Sequence, residues 1–110
     1  MLFNIIEERG TGKTRSLMEE AYKNNGIFVC QNAFHMREKA NAYGLHGLEI
    51  ISFQDFINEI QLHEFEYTNI RAIGYRHEYG KKVYIDELEG FINYLCFNRF
   101  GGYTITTGIL

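Results

Sequence analysis

The stretch Glu7-Glu8-Arg9-Gly10-Thr11-Gly12-Lys13-Thr14-Arg15 decides the fold of this chain. An apolar run at residues 2–6 precedes it and predicts a strand, and apolar residues at helical spacing follow it over residues 13–24. Glycines between a strand and a helix let backbone N–H groups converge on an anion at the helix N-terminus. The stretch therefore predicts a phosphate-binding loop or, alternatively, a glycine-rich turn that only begins a helix.

Strand and helix patterns alternate along the rest of the chain. Further strands are predicted at residues 27–30, 48–51, 83–85 and 103–107. Helices are predicted from residue 34 to Gly44, after Ser52, and over residues 88–95, while residues 62–82 predict an irregular excursion or a short hairpin. Near-continuous apolar strands between helices predict an α/β fold, a three-layer sandwich whose mostly parallel sheet has about five strands.

Length and composition limit the classes of protein to consider. A chain of 110 residues has room for one domain, and its formal charge of -3 gives no general affinity for phosphate backbones. Cys30 and Cys96 are too few for a disulfide scaffold, so we expect both to be reduced core residues. No apolar run reaches the length of a membrane span and no leader pattern is present, which predicts a cytoplasmic protein without membrane contact.

A second polar cluster follows the strand predicted at residues 83–85. The sequence Lys81-Lys82-Val83-Tyr84-Ile85-Asp86-Glu87 places two carboxylates at the carboxyl end of an apolar strand. Ligands of open α/β sheets collect at such strand ends, so we expect Asp86 and Glu87 to lie near Lys13 and Thr14. Alternatively, the two acids only begin the next helix, where negative charge favours the helix dipole.

Together the two segments resemble the Walker A and Walker B segments of P-loop NTPases. The glutamate after the aspartate resembles the RecA-like branch, which includes helicases and phage terminase ATPases. Glu7 departs from the pattern, because the family has a glycine at that position. The resemblance implies ATP and Mg²⁺ as cofactors, with Thr14 and Asp86 at the metal and Glu87, Lys13 and Thr107 in catalysis. It also implies that the phosphates are bound by Arg9, Gly10, Thr11, Gly12, Lys13, Thr14 and Arg15.

Two further segments extend the resemblance. Residues 103–108 resemble the sensor strand of that branch, in which Thr106 or Thr107 would contact the γ-phosphate or the attacking water. Residues 48–56 resemble a helicase segment near the nucleic-acid path. Taken alone, the first is typical of an ordinary strand, and the serine that precedes Asp55 by three residues is typical of a helix cap.

The resemblance implies an ATP-binding P-loop domain that is part of or accessory to a nucleic-acid motor, with slow Mg²⁺-dependent ATP hydrolysis as a further expectation and a phage or mobile element as the suggested source. Its partners would be a nucleotide, nucleic acid or a larger motor protein, and further copies of the chain, in a host cytoplasm if the source is viral. A basic patch amid tyrosines is the candidate surface for single strands: Tyr75, Arg76, His77, Tyr79, Lys81, Lys82 and Tyr84. The alternative is a non-enzymatic regulator on a degenerate P-loop scaffold, and a nucleotide kinase is disfavoured because no arginine-rich lid follows the sheet.

Overall fold

Three parallel strands form the sheet in this computed structural model, which describes residues 12–65 and 81–106. The strands are β1 (Ile27–Cys30), β2 (Glu49–Ser52) and β3 (Val83–Ile85). Their order is β2-β1-β3, so β1 is central and fully buried. Four helices alternate with them: α1 (Lys13–Lys23), α2 (Ala33–Ala42), α3 (Phe53–Phe65) and α4 (Leu88–Leu95). The predicted α/β class and parallel sheet are confirmed.

The helices cover both faces of the sheet because the side chains of β1 alternate between two apolar clusters. Phe28 and Cys30 pack with Met18 and Ala21 of α1 and with Ala40 of α2. On the other face, Ile27 and Val29 pack with Phe53 of α3 and Phe91 of α4. A continuously apolar strand is therefore required at the centre of the sheet.

Glycine and asparagine end the first two helices as the sequence predicts. Asn25 follows α1 with φ 53°, and Gly44 follows α2 with φ 81°. Both lie in the left-handed region, which these two residue types tolerate better than others. The chain enters β1 after α1 and enters β2 after α2. In the resulting parallel sheet, Phe28 lies beside Ile50 and Tyr84.

The expectation of about five strands is wrong, because the described residues contain three. Tyr103, Thr104, Ile105 and Thr106 form no strand: the Tyr103 hydroxyl donates to Glu89 Oε2 at 2.7 Å and its ring stacks on Phe100, which holds this segment against α4. The strand predicted at residues 2–6 lies outside the described residues. The irregular excursion predicted from residue 62 begins too early, since α3 continues to Phe65, and residues 66–80 again lie outside the description.

Candidate functional site

Asp86 lies at the carboxyl edge of the sheet, directly after β3. Its backbone N–H donates to the Val29 carbonyl at 2.9 Å, which extends the ladder between β1 and β3 by one bond. The residue is only 8% exposed. A carboxylate this deeply buried requires polar partners, since burial without them is costly.

The first of those partners comes from the start of α1. Thr14 donates its hydroxyl proton to Asp86 Oδ1 over 3.1 Å, although the two residues are 72 positions apart in the sequence. Gly12 precedes the helix with φ 81°, and its carbonyl accepts from the N–H of Ser16 at 3.1 Å. Because a side chain at Gly12 would strain this left-handed backbone, the glycine is needed for the entry into α1.

Lys13 and Glu87 form a second link between the same two elements. The Lys13 ammonium lies 3.9 Å from Glu87 Oε2, and the two side chains are 25% and 53% exposed. Glu87 has φ 61°, a left-handed conformation that is unusual for a residue other than glycine, asparagine or aspartate. The predicted convergence of Lys13, Thr14, Asp86 and Glu87 is confirmed as geometry, at the carboxyl end of β3.

The electrostatics at Asp86 reflect burial first. Desolvation raises the pKa of the Asp86 carboxyl above its ordinary value, and the hydrogen bond from Thr14 opposes that rise. The negative charge of Glu87 adds to the rise in the pKa, whereas the positive charges of Lys13 and Lys39 oppose it. Because burial disfavours the charged carboxylate, a cation bound at Asp86 would stabilise its charged form.

The other predicted site residues lie elsewhere or outside the description. Arg15 contacts its own helix and the residue that caps the C-terminus of α2: its Nε lies 3.2 Å from Glu19 Oε2 and its guanidinium lies 4.3 Å from the centre of the Tyr43 ring. Thr106 is exposed on the segment that follows α4. Arg9, Gly10, Thr11 and Thr107 lie outside the described residues, so their predicted roles stay predictions.

Sequence analysis missed that Cys30 lies beside the site. Val29 pairs with Ile85, and this register brings the next residue of β1, Cys30, to the level of Asp86. Burial raises the pKa of the Cys30 thiol to about 11, and the charge of Asp86 contributes to the rise. Cys30 could have been placed beside Asp86 only if β1 and β3 had been known to be neighbours, and the local sequence does not indicate the order of the strands.

The segments that suggested nucleic-acid contact show structural roles. Tyr84 is 7% exposed and its hydroxyl accepts from Asn24 Nδ2 at 3.1 Å, so its predicted place on a stacking surface is wrong. Lys81 Nζ lies 3.0 Å from Glu49 Oε1. Ser52 Oγ accepts from the N–H of Asp55 at 3.0 Å, which is the expected helix cap. Tyr75, Arg76, His77 and Tyr79 lie outside the description.

No protein-family model matches the chain, and neither a curated protein nor a solved structure matches it. Within residues 12–65 and 81–106, no group of three or more His, Cys, Asp or Glu side chains is placed to hold a metal ion. In the same part of the chain, no helix is long and apolar enough to cross a membrane.

Proposed function

We propose that the chain binds a magnesium complex of a nucleoside triphosphate, ATP being the expected nucleotide, at the junction of α1 and β3. The observation that carries the proposal is the pair of contacts from Lys13 and Thr14 to Glu87 and Asp86. If the glycine-rich turn only began a helix, Lys13 and Thr14 would have no reason to contact the two acids that follow β3. The proposed fold is accordingly a small RecA-like P-loop unit.

The donor atoms at the site suit Mg²⁺. Thr14 Oγ1 and Asp86 Oδ1 are oxygens that lie 3.1 Å apart, and Mg²⁺ prefers oxygen ligands. This ion usually takes only one or two ligands from protein, with water and phosphate oxygens completing its octahedral shell. A site with fewer than three acidic or imidazole ligands therefore fits the metal. When bound, Mg²⁺ would neutralise charge on the phosphates.

Each side chain then has a defined task. Lys13 binds the terminal phosphates through its ammonium group, and Thr14 and Asp86 hold the metal. Glu87 takes a proton from the water that attacks the γ-phosphorus, and the bond from that phosphorus to the bridging oxygen breaks, giving a nucleoside diphosphate and phosphate. An arginine at the transferring phosphate can speed this reaction by about 10³- to 10⁵-fold, so we expect turnover to be slow unless this chain or another molecule supplies one.

Binding is tested by titrating Mg·ATP into the protein in a calorimeter. Lys13→Ala should abolish binding while the circular dichroism of the fold is retained. Lys23→Ala is the matched control, because Lys23 is an exposed lysine at the opposite end of α1. Equal affinity of the folded Lys13→Ala variant and the wild type would overturn the proposal.

Hydrolysis is tested separately, since a nucleotide-binding regulator would pass the first experiment. Glu87→Gln should keep Mg·ATP binding and lose phosphate release. Binding by the wild-type protein without phosphate release, alone or with single-stranded DNA, would reduce the proposal to a binding module. A thermal melt gives an independent check, because a ligand at about 100 times its Kd stabilises a fold by about 2.7 kcal/mol.

A further inference from the structure

Glu87 makes an ion pair with the lysine that the proposed nucleotide needs. The distance from Lys13 Nζ to Glu87 Oε2 is 3.9 Å, and about half of the Glu87 side chain is exposed. A pair of this kind is weak and can be broken by a competing anion. A triphosphate that approached Lys13 would be such a competitor, with a higher charge than one carboxylate.

The backbone at Glu87 is consistent with a side chain kept for this contact. Glu87 stands at the N-cap position of α4 with φ 61° and ψ 69°, and its side chain makes no capping hydrogen bond. Its carbonyl already begins the helix by accepting from the N–H of Phe91 at 3.0 Å. The carboxylate is thus directed to Lys13 rather than to the helix end, in a conformation that costs free energy.

We propose that Glu87 is an internal competitor for Lys13, so that the empty site is held in a self-paired state that a polyphosphate must displace. This inference rests on the proposed function. Nucleotide affinity is therefore lower than Lys13 would give without this ion pair.

Nucleotide affinity measures the competition directly. Glu87→Gln should bind a magnesium complex of a non-hydrolysable ATP analogue about two- to fivefold more tightly than the wild type at low salt, as expected for loss of an exposed ion pair. The gain should shrink as salt is added, because salt already weakens the pair in the wild type.

Glu89→Gln is the matched control for charge. It removes the same negative charge two residues further on, from a carboxylate that accepts the Tyr103 hydroxyl proton at 2.7 Å. We expect a clearly smaller gain in affinity from this variant. An equal gain from both variants would attribute the effect to net charge and overturn the competition, as would unchanged or weaker binding by Glu87→Gln.

A double-mutant cycle without nucleotide separates this inference from the proposed function. Chemical denaturation of the wild type, Lys13→Met, Glu87→Gln and the double variant should show a favourable coupling between the two residues at low salt. Zero coupling would overturn the competition even if ATP binds. A favourable coupling with no ATP binding by any variant would show that the ion pair exists and that the proposed function, and with it the competition, is wrong.

Discussion

The hydroxyl of Thr14 and the carboxylate of Asp86 are hydrogen-bonded across 72 positions of sequence. This bond joins the first turn of α1 to the end of β3, and Asp86 is in turn anchored to β1 through the Val29 carbonyl. The bond satisfies a buried carboxylate, and under the proposed function the same two oxygens would hold the metal ion. One contact therefore serves the stability of the empty protein and the proposed binding of ligand.

Replacing Asp86 by asparagine should stabilise the empty protein at neutral pH. Burial raises the pKa of Asp86 in the folded state, so between its unfolded and folded pKa values the folded protein binds more protons. The contribution of Asp86 to the free energy of unfolding therefore falls as pH rises through this window. Above the window, the charged carboxylate continues to destabilise the folded protein. Asparagine can still accept from Thr14 without carrying that charge.

The measurement compares urea denaturation of the wild type and Asp86→Asn at about pH 4 and about pH 7. The variant should exceed the wild type in free energy of unfolding by more at the higher pH than at the lower. Mg·ATP should no longer stabilise the variant. Glu38→Gln removes an exposed charge on α2 and serves as the control. A variant that is less stable than the wild type at neutral pH would contradict the prediction.

Gly26 and Gly90 should respond in opposite ways to alanine. A Cβ atom at Gly26 would lie 2.6 Å from Tyr84 Cε1 and 2.8 Å from the Lys82 carbonyl, so the variant should lose about 1–3 kcal/mol of stability. At Gly90, inside α4, the nearest atom would be 3.6 Å away, and alanine should gain about 0.5–1 kcal/mol. Thermal melts of the two variants measure both changes. A Gly26→Ala variant as stable as the wild type would show that Tyr84 and the Lys82 carbonyl leave room for a methyl group.

The two cysteines should differ strongly in reactivity. Cys30 is 1% exposed and burial raises its pKa to about 11, whereas Cys96 is half-buried. An aromatic disulfide reagent at mildly alkaline pH should modify Cys96 at least about tenfold faster than Cys30. The rates are measured on Cys96→Ser and Cys30→Ala, each of which keeps one thiol. Similar rates in the two variants would mean that the end of β1 opens readily to solvent.

Much of the fold could be predicted because its signals are local. Four apolar residues at 27–30 and three at 83–85 became β1 and β3 with the predicted bounds. The convergence of Lys13 with Glu87 was predicted from a general property of parallel sheets, in which strand ends meet at one edge, although the strand expected before Lys13 lies outside the described residues. Neither inference required knowledge of which strands are neighbours.

The prediction that was wrong and the features that were not predicted all depend on tertiary contacts. Tyr103, Thr104 and Ile105 have the composition of a strand, but a strand needs an edge to pair with, and here Tyr103 bonds to Glu89 instead. The position of Cys30 beside Asp86 depends on the order β2-β1-β3. The left-handed backbone of Glu87 has no signal in the sequence, since glutamate is not typical of that conformation.

Inside a helix an alanine variant is usually more stable than a glycine variant, and the backbone conformation of Glu87 predicts the opposite order of stability at that position. Glu87→Gly and Glu87→Ala both remove the carboxylate, so both lose the ion pair with Lys13, and their difference isolates the backbone. Because φ is 61°, the glycine variant should be more stable than the alanine variant by about 1 kcal/mol. At Glu89, inside the first turn of α4, alanine should be the more stable by about the same amount. Urea denaturation of the four variants measures both differences, and alanine being favoured at both positions would show that Glu87 is not held in the left-handed conformation.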